Sequence, residues 1–345
     1  MPPESALHII TAETAGPVLA ALRKHQPGIT WSTARTLLQA RRIVVNGILC
    51  VEEARRIHPG DRLELRAVAL PAPPGDRDVA ILHADPHVVV AHKPSGMLTV
   101  RHPGDVDWSD DKKLRQPSLD EVLGRLLAQR EQRARTMRPA VADVFVVHRI
   151  DRETSGIVVF ARSESAQTAL IRQFAAHSVH RRYLCIVPGE ISTQTLRSIQ
   201  VRDRGDGLRG SMDDGETRDG LPMVTHVRPL RKLGRFSELE CRLETGRTNQ
   251  IRIQLAERGQ PLCGDVKYRG PFGAEALADD SGAPRLALHA AELGFVHPHT
   301  GMEHRWTSHW PPDILRWLDS LQRRNTTRPT PNAREPGRRQ PRRPQ

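Results

Sequence analysis

The sequence predicts an α+β protein of two unequal folded units, and three features of the chain carry that prediction. A stretch of about fifty residues near the N-terminus holds two helical patterns followed by a hairpin signal. A proline-rich segment then interrupts it. Beyond it, short β-prone runs lie among separate amphipathic helical patterns over more than two hundred residues. A chain of 345 residues is long enough for two domains, the larger with a sizeable core.

Residues 1–15 read as an N-terminal tail and 16–67 as the small unit. Val18-Leu19-Ala20-Ala21-Leu22 has helical spacing, and a second helix can start at Ser32, a good N-cap, carrying Ala34, Leu37, Leu38 and Arg41. Asn46-Gly47 between Ile43-Val44-Val45 and Ile48-Leu49-Cys50 signals a hairpin, because both turn positions need positive φ. Pro59-Gly60-Asp61 turns the chain into the alternating strand Arg62-Leu63-Glu64-Leu65. Residues 68–78, with Pro71, Pro73 and Pro74, read as a stiff linker. The large unit covers 79–322. Val88-Val89-Val90-Ala91 predicts a buried strand, 119–135 a surface helix, 196–221 an exposed loop, and Pro311-Pro312-Asp313 the start of a last helix. Residues 323–345 read as a basic, disordered tail.

The formal charge is +12, which suits a polyanionic partner. The tail alone holds eight arginines against Glu335, or +7 of that total, so the folded body is only mildly basic. Cys50, Cys185, Cys241 and Cys263 are widely spaced among apolar residues and read as buried, with neither a CxxC metal pair nor a disulfide framework. No phosphate loop, signal peptide or run of about 20 apolar residues is visible, so the expectation is a cytoplasmic, membrane-free monomer needing no cofactor, nucleotide or metal.

Three segments carry chemistry. In Val144 to Phe160, two apolar, β-prone runs flank His148-Arg149-Ile150-Asp151-Arg152-Glu153-Thr154-Ser155-Gly156, in which five of nine residues can carry charge. Charges between core strands cost about 3–5 kcal/mol if left unpaired, so this loop is either a structural ion-pair network or a functional centre. Arg181-Arg182-Tyr183-Leu184 opens a second strand, where a tyrosine alone is as well read as core. Leu239, Cys241 and Leu243 alternate with charged residues in a half-buried strand. Then Glu244-Thr245-Gly246-Arg247 turns into a helix that Thr248 can cap and Gly259 and Pro261 stop. Arg247 and Arg252 fall at that strand-to-helix junction, where an anion can be gathered, although a plain capped helix with exposed arginines fits too.

Together, His-Arg-Ile-Asp-Arg-Glu-Thr-Ser-Gly, the Arg-Tyr-Leu strand and Leu-Glu-Thr-Gly-Arg-Thr-Asn-Gln-Ile-Arg resemble the signature segments of the RluA family of RNA pseudouridine synthases. Lys93-Pro94-Ser95-Gly96, Pro261-Leu262-Cys263-Gly264-Asp265 with Tyr268, and Leu286-Ala287-Leu288-His289-Ala290 with His297-Pro298 match further family turns. Upstream, Ile29 to Asn46-Gly47 and on to Pro59-Gly60-Asp61 resembles an S4 RNA-binding domain, which offers its second helix, here with Arg35, Arg41 and Arg42, to structured RNA.

The resemblance implies a mixed, mainly antiparallel sheet with flanking helices and a central cleft. It implies isomerisation of specific uridines in structured RNA; ribosomal and transfer RNA both fit, with ribosomal RNA favoured. Asp151 falls on the catalytic aspartate, and Arg149 on the arginine that fills the gap left by the extruded base. Tyr183 falls on the tyrosine packed against that base, and Arg252 on the partner of the catalytic carboxylate. Arg247, Arg152, Thr154 and Asn249 are implied substrate contacts. The family usually has His where this chain has Asn249, and the loop around Trp108 is longer than the family minimum. Breaking the N-glycosidic bond and rejoining the base through C5 needs an ionised carboxylate, as a nucleophile at C1′ or as a base at C2′, and both routes stay open. Two rival readings remain: a non-catalytic RNA-binding or assembly protein on this fold, and a hydrolase pairing Asp151 with His148, whose apolar strand favours a structural hydrogen bond instead.

Overall fold

A computed structural model of the protein describes residues 6–46, 48–70, 72–105, 107–132, 142–205, 207–212 and 220–326. Within residues 16–67 two helices, Val18–His25 and Trp31–Gln39, pack against a small antiparallel sheet. Ile43–Val45 pairs with Ile48–Leu49 across a turn where Asn46 has φ of 51°; Gly47 lies outside the described residues. Val18, Leu22, Leu38, Ile43 and Leu63 meet in its core. Two local expectations are corrected. The second helix is capped by Thr30, whose hydroxyl accepts from the Thr33 amide at 3.1 Å, and not by Ser32. The segment read as a tail contributes the strand Ala6–Thr11, paired with Arg62–Arg66, so the small sheet has four strands rather than ending at residue 16.

The large unit is built on one sheet of eleven strands among the described residues. Its centre runs Phe236–Leu243, His180–Pro188, Leu288–Val296, Ser155–Ala161, Val88–Lys93. All its pairings are antiparallel except one, where Ser155 and Gly156 lie parallel to His289 and Ala290. Ser155–Ala161 is buried along its whole length. Val158 and Phe160 face a core closed by Leu119, Leu123 and Leu127 of the helix Leu119–Gln132, while Ile157, Val159 and Ala161 face Ala166 and Leu170 of the helix Glu164–Ala175. The period of two thus meets a helix on each face. The parallel step needs Gly156: its φ is 128°, and a Cβ there would sit 2.3 Å from the Ala290 carbonyl oxygen.

The expected loop at 196–221 instead contains sheet, with strands Gln194–Val201 and Gly210–Met212 and a third, Leu221–Leu233, starting at its end; residues 206 and 213–219 lie outside the described residues. Only Leu196 and Gln200 of the first point fully inward, so its sequence carries no apolar alternation. In Phe236–Leu243 the charged face is covered as well: Glu240 accepts from Arg228 and Arg242, and Glu238 from Trp310 and Arg231. The last helix runs Pro312–Thr326, past residue 322, and the tail from 327 lies outside the described residues. All four cysteines are buried and free. Near Trp108, Lys112 Nζ lies 3.8 Å from the ring centroid and pairs with Glu52 of the small unit at 2.9 Å. No helix among the described residues is long and apolar enough to cross a membrane.

Candidate active site

The loop Arg149–Thr154 leaves the sheet at its parallel step and rests on a turn, 93–99, that is bonded almost wholly to its backbone. Lys93 is fully buried, and its ammonium donates to the carbonyls of Pro94, Met97 and Arg152 at 2.9, 2.7 and 3.1 Å. Ser95 Oγ donates to the Glu153 carbonyl at 2.6 Å, the Gly96 amide to Arg152 O, and Thr99 Oγ1 to Ile150 O at 2.7 Å. Burial pushes the Lys93 pKa down to about 7, opposed by the charges of Glu153 and Asp151.

On the other side of the loop lies a cleft of about 550 Å³, lined in part by Asp151, Arg149, Thr154, Tyr183, Arg247, Asn249 and Arg252. Seven of the residues singled out in the sequence therefore share one cavity, large enough for a nucleoside. Arg152 does not line it. Its side chain turns back to the Gly96 carbonyl, at 3.1 Å. Arg35, Arg41 and Arg42 stand on the small unit, where Arg35 pairs with Glu53 at 2.9 Å, and Arg41 and Arg42 donate to the carbonyls of Leu70 and Arg66.

Arg252 projects from the helix Gln250–Ala256, all seven residues of which are buried, rather than from an exposed capped helix. Thr248 is not the cap. Asn249, at φ of 58°, precedes the helix, and the Gln250 side chain accepts from the Arg247 amide at 3.0 Å and from Thr245 Oγ1 at 2.8 Å. The main partner of Arg252 is Asp265, which sequence reading did not assign, in a bidentate pair at 2.7 and 2.8 Å. Its third nitrogen, Nη1, donates to Asn249 Oδ1 at 3.0 Å and stands 3.9 Å from Asp151 Oδ2 and 3.8 Å from Glu153 Oε2. Burial works against the charge of Arg252, but the hydrogen bonds and charge of Asp265 raise its pKa above the usual value. Asn249 donates in turn to the Tyr268 hydroxyl at 3.1 Å. The neutral amide thus bridges Tyr268 and the guanidinium, adding no charge of its own.

Asp151 is 21% exposed through the cleft. Desolvation raises its pKa above the ordinary carboxylate value, Glu153 adds to this, and Arg252, Lys93 and Arg149 oppose it. Tyr183 forms a wall of the same cleft, and burial pushes its phenol up to about 12, keeping it neutral. His148 stacks on Phe174 at 4.5 Å, and its Nε2 accepts from the Val159 amide at 3.2 Å. Burial pushes it down to about 3, so it serves as the expected structural acceptor and leaves the hydrolase reading without its base.

A carboxylate held by a clamped guanidinium in a nucleoside-sized cleft fits sugar chemistry, and the comparisons agree. The RNA pseudouridylate synthase family model matches residues 87–257. A protein named "Ribosomal large subunit pseudouridine synthase D" from Xanthomonas campestris pv. campestris is 37% identical over 258 residues, which are 73% of this chain and 72% of that one. The chain belongs to the RNA pseudouridylate synthase family. A protein of the same name from Xylella fastidiosa is 33% identical across 88% of both chains. The human structure "RNA Pseudouridylate Synthase Domain Containing 4" superposes with a TM-score of 0.52 at 20% identity, covering 71% of this chain and 93% of that one, and shares the fold. This synthase is thus an enzyme, and the non-catalytic alternative has no support.

One other group of side chains could be taken for a metal site. His83 Nε2 and His297 Nε2 lie 2.8 and 3.0 Å from Asp85 Oδ2. However, His297 Nδ1 accepts from the amides of His299 and Thr300, which leaves its proton on Nε2 and no lone pair there for a metal. The group is a hydrogen-bonded brace for the turn at Asp85, whose other oxygen accepts from the amides of His87 and Val88.

Proposed function

We propose that this synthase converts specific uridines of ribosomal RNA to pseudouridine, with Asp151 as the reacting carboxylate. The observation that supports the reading is that Asp151 lines the cleft 3.9 Å from a guanidinium whose orientation Asp265 fixes. An ionised carboxylate is what both chemical routes begin from, and the clamped Arg252 favours that state while limiting its rotation. The target base must leave its stack, at about a few kcal/mol. Arg149, exposed at the rim, takes the vacated space, and Tyr183 packs against the base. Arg247, Thr154 and Asn249 complete the pocket. Arg152, with its side chain turned away, contributes chiefly through its carbonyl under the loop.

The small unit acts as an S4-like RNA-binding domain through Arg35, Arg41 and Arg42, adding affinity by effective concentration, and the enzyme works as a cytoplasmic monomer. The choice of ribosomal RNA rests on the names of the relatives. RNA labelled with tritium at uracil C5 tests it, because forming pseudouridine displaces that tritium. Release is expected from ribosomal RNA and not from transfer RNA. Release from the transfer RNA pool alone would contradict the choice of substrate.

A further inference from the structure

Most buried or half-buried arginines of the catalytic domain have a carboxylate within reach. Arg101 has Glu121, Arg182 has Glu292, Arg252 has Asp265 and Arg285 has Asp313. Arg181 is different. Its Nη2 donates to the carbonyl of Glu244 at 2.9 Å, and its Nε is buried with no partner. No carboxylate faces it among the described residues. It is held over the ring of Phe174, 5.5 Å from the centroid, and lines the same cleft as Asp151. Beside it, Arg247 Nε donates to the Pro222 carbonyl at 3.3 Å, and among the described residues it likewise has no acidic partner. A guanidinium taken from water without a counter-charge is costly, so its position needs another source of negative charge.

Gly246 supports the same reading independently. Its backbone has no positive φ, so no turn conformation demands glycine there. A Cβ at this position would instead lie 2.4 Å from Arg181 Nη1. The missing side chain is the space that the guanidinium fills.

We propose that Arg181, seated against Gly246 and flanked by Arg247, binds a backbone phosphate of the extruded nucleotide and so holds that nucleotide in the cleft of Asp151. The proposal rests on the RNA-isomerising reading above and deepens it. Planar guanidiniums engage phosphate oxygens in pairs, and the cleft supplies cations that no carboxylate of the described residues neutralises. Arg181 is a binding residue in this scheme. Its contact is made in both ground and transition states, so its loss raises KM and leaves kcat nearly unchanged.

The experiment measures tritium release from C5-labelled ribosomal RNA, over a range of salt concentrations, by wild type, Arg181→Gln, Arg181→Lys and Gly246→Ala. For Arg181→Gln, KM is expected to rise about 10- to 100-fold. The slope of log KM against log salt should fall by about 0.7–0.9, the value of one phosphate contact. Arg181→Lys, which keeps the cation, is expected to recover the slope. Gly246→Ala, which displaces only the tip of a flexible side chain, should raise KM in the same direction at unchanged thermal stability. An unchanged KM and slope in Arg181→Gln, with wild type active, would overturn the phosphate site and leave the enzyme reading intact. A raised KM with the wild-type slope, unrescued by lysine, would reduce Arg181 to a packing role and overturn it too. No release by wild type would overturn both.

Discussion

The two sides of the Arg149–Thr154 loop are built on opposite rules. Beneath it, almost every polar group is satisfied: Lys93 has three carbonyls, and Ser95, Gly96 and Thr99 bond the loop backbone. On the cleft side the polar groups are left wanting. Asp151 stands 3.9 Å from its guanidinium, and among the described residues Thr154 Oγ1 is buried without a partner and Arg181 and Arg247 lack acidic partners. The difference teaches how the site is held ready. Rigidity is concentrated on the side away from the cleft, and unmet hydrogen-bonding capacity on the side that lines it.

Short of the carboxylate itself, the sharpest way to break this contrast is Asp265→Asn. Its carboxylate is completely buried, and the change leaves Arg252 without its bidentate partner. A loss of about 3–5 kcal/mol in denaturant unfolding is expected, together with a fall in kcat. Lys93→Met should have a smaller effect. It keeps the apolar stem but abandons three carbonyls, for a loss of about 1–3 kcal/mol and a lower kcat as the loop loosens. Retention of full activity by that variant would show that the underside of the loop need not be rigid.

The smallest and most diagnostic effect is expected of Glu153→Gln. With Asp151 as the proposed reacting carboxylate, activity needs its ionised form, so the rate is expected to fall as pH drops through its pKa, which desolvation and Glu153 hold above the ordinary carboxylate value. Removing the Glu153 charge lowers that pKa, and the acid limb of the kcat profile should move to lower pH. A move in the other direction would contradict the placing of the two carboxylates.

Much of this contrast was legible in the sequence, but chiefly its open side. A charged run between apolar strands announced Asp151, and the turn at Glu244–Arg247 announced Arg247 and Arg252. The supporting side was harder to read. Asp265 meets Arg252 only because the chain after the helix Gln250–Ala256 folds back, and no local pattern reports such a return. Lys93 ends an apolar strand and reads as surface until the Arg152 carbonyl arrives from a distant segment. The strands between residues 194 and 233 are hard to read because their inward positions include Gln200, which donates to the Thr248 carbonyl, and Thr225, which the buried amides of Gln250 and Gln254 serve. Polar residues satisfied by tertiary contacts erase the alternation on which strand reading depends. At residue 181, only the missing carboxylate and the neighbouring glycine distinguish the arginine, and both become visible in three dimensions.

Asp151→Asn is the change that bears most directly on the site. The two side chains are nearly the same shape, and the amide removes the charge without emptying the space. Tritium release from ribosomal RNA should fall on the order of 10⁴-fold, while thermal stability and RNA affinity stay near those of the wild type. Release at the wild-type rate by a folded, RNA-binding Asp151→Asn protein would contradict the assignment of Asp151 as the reacting group.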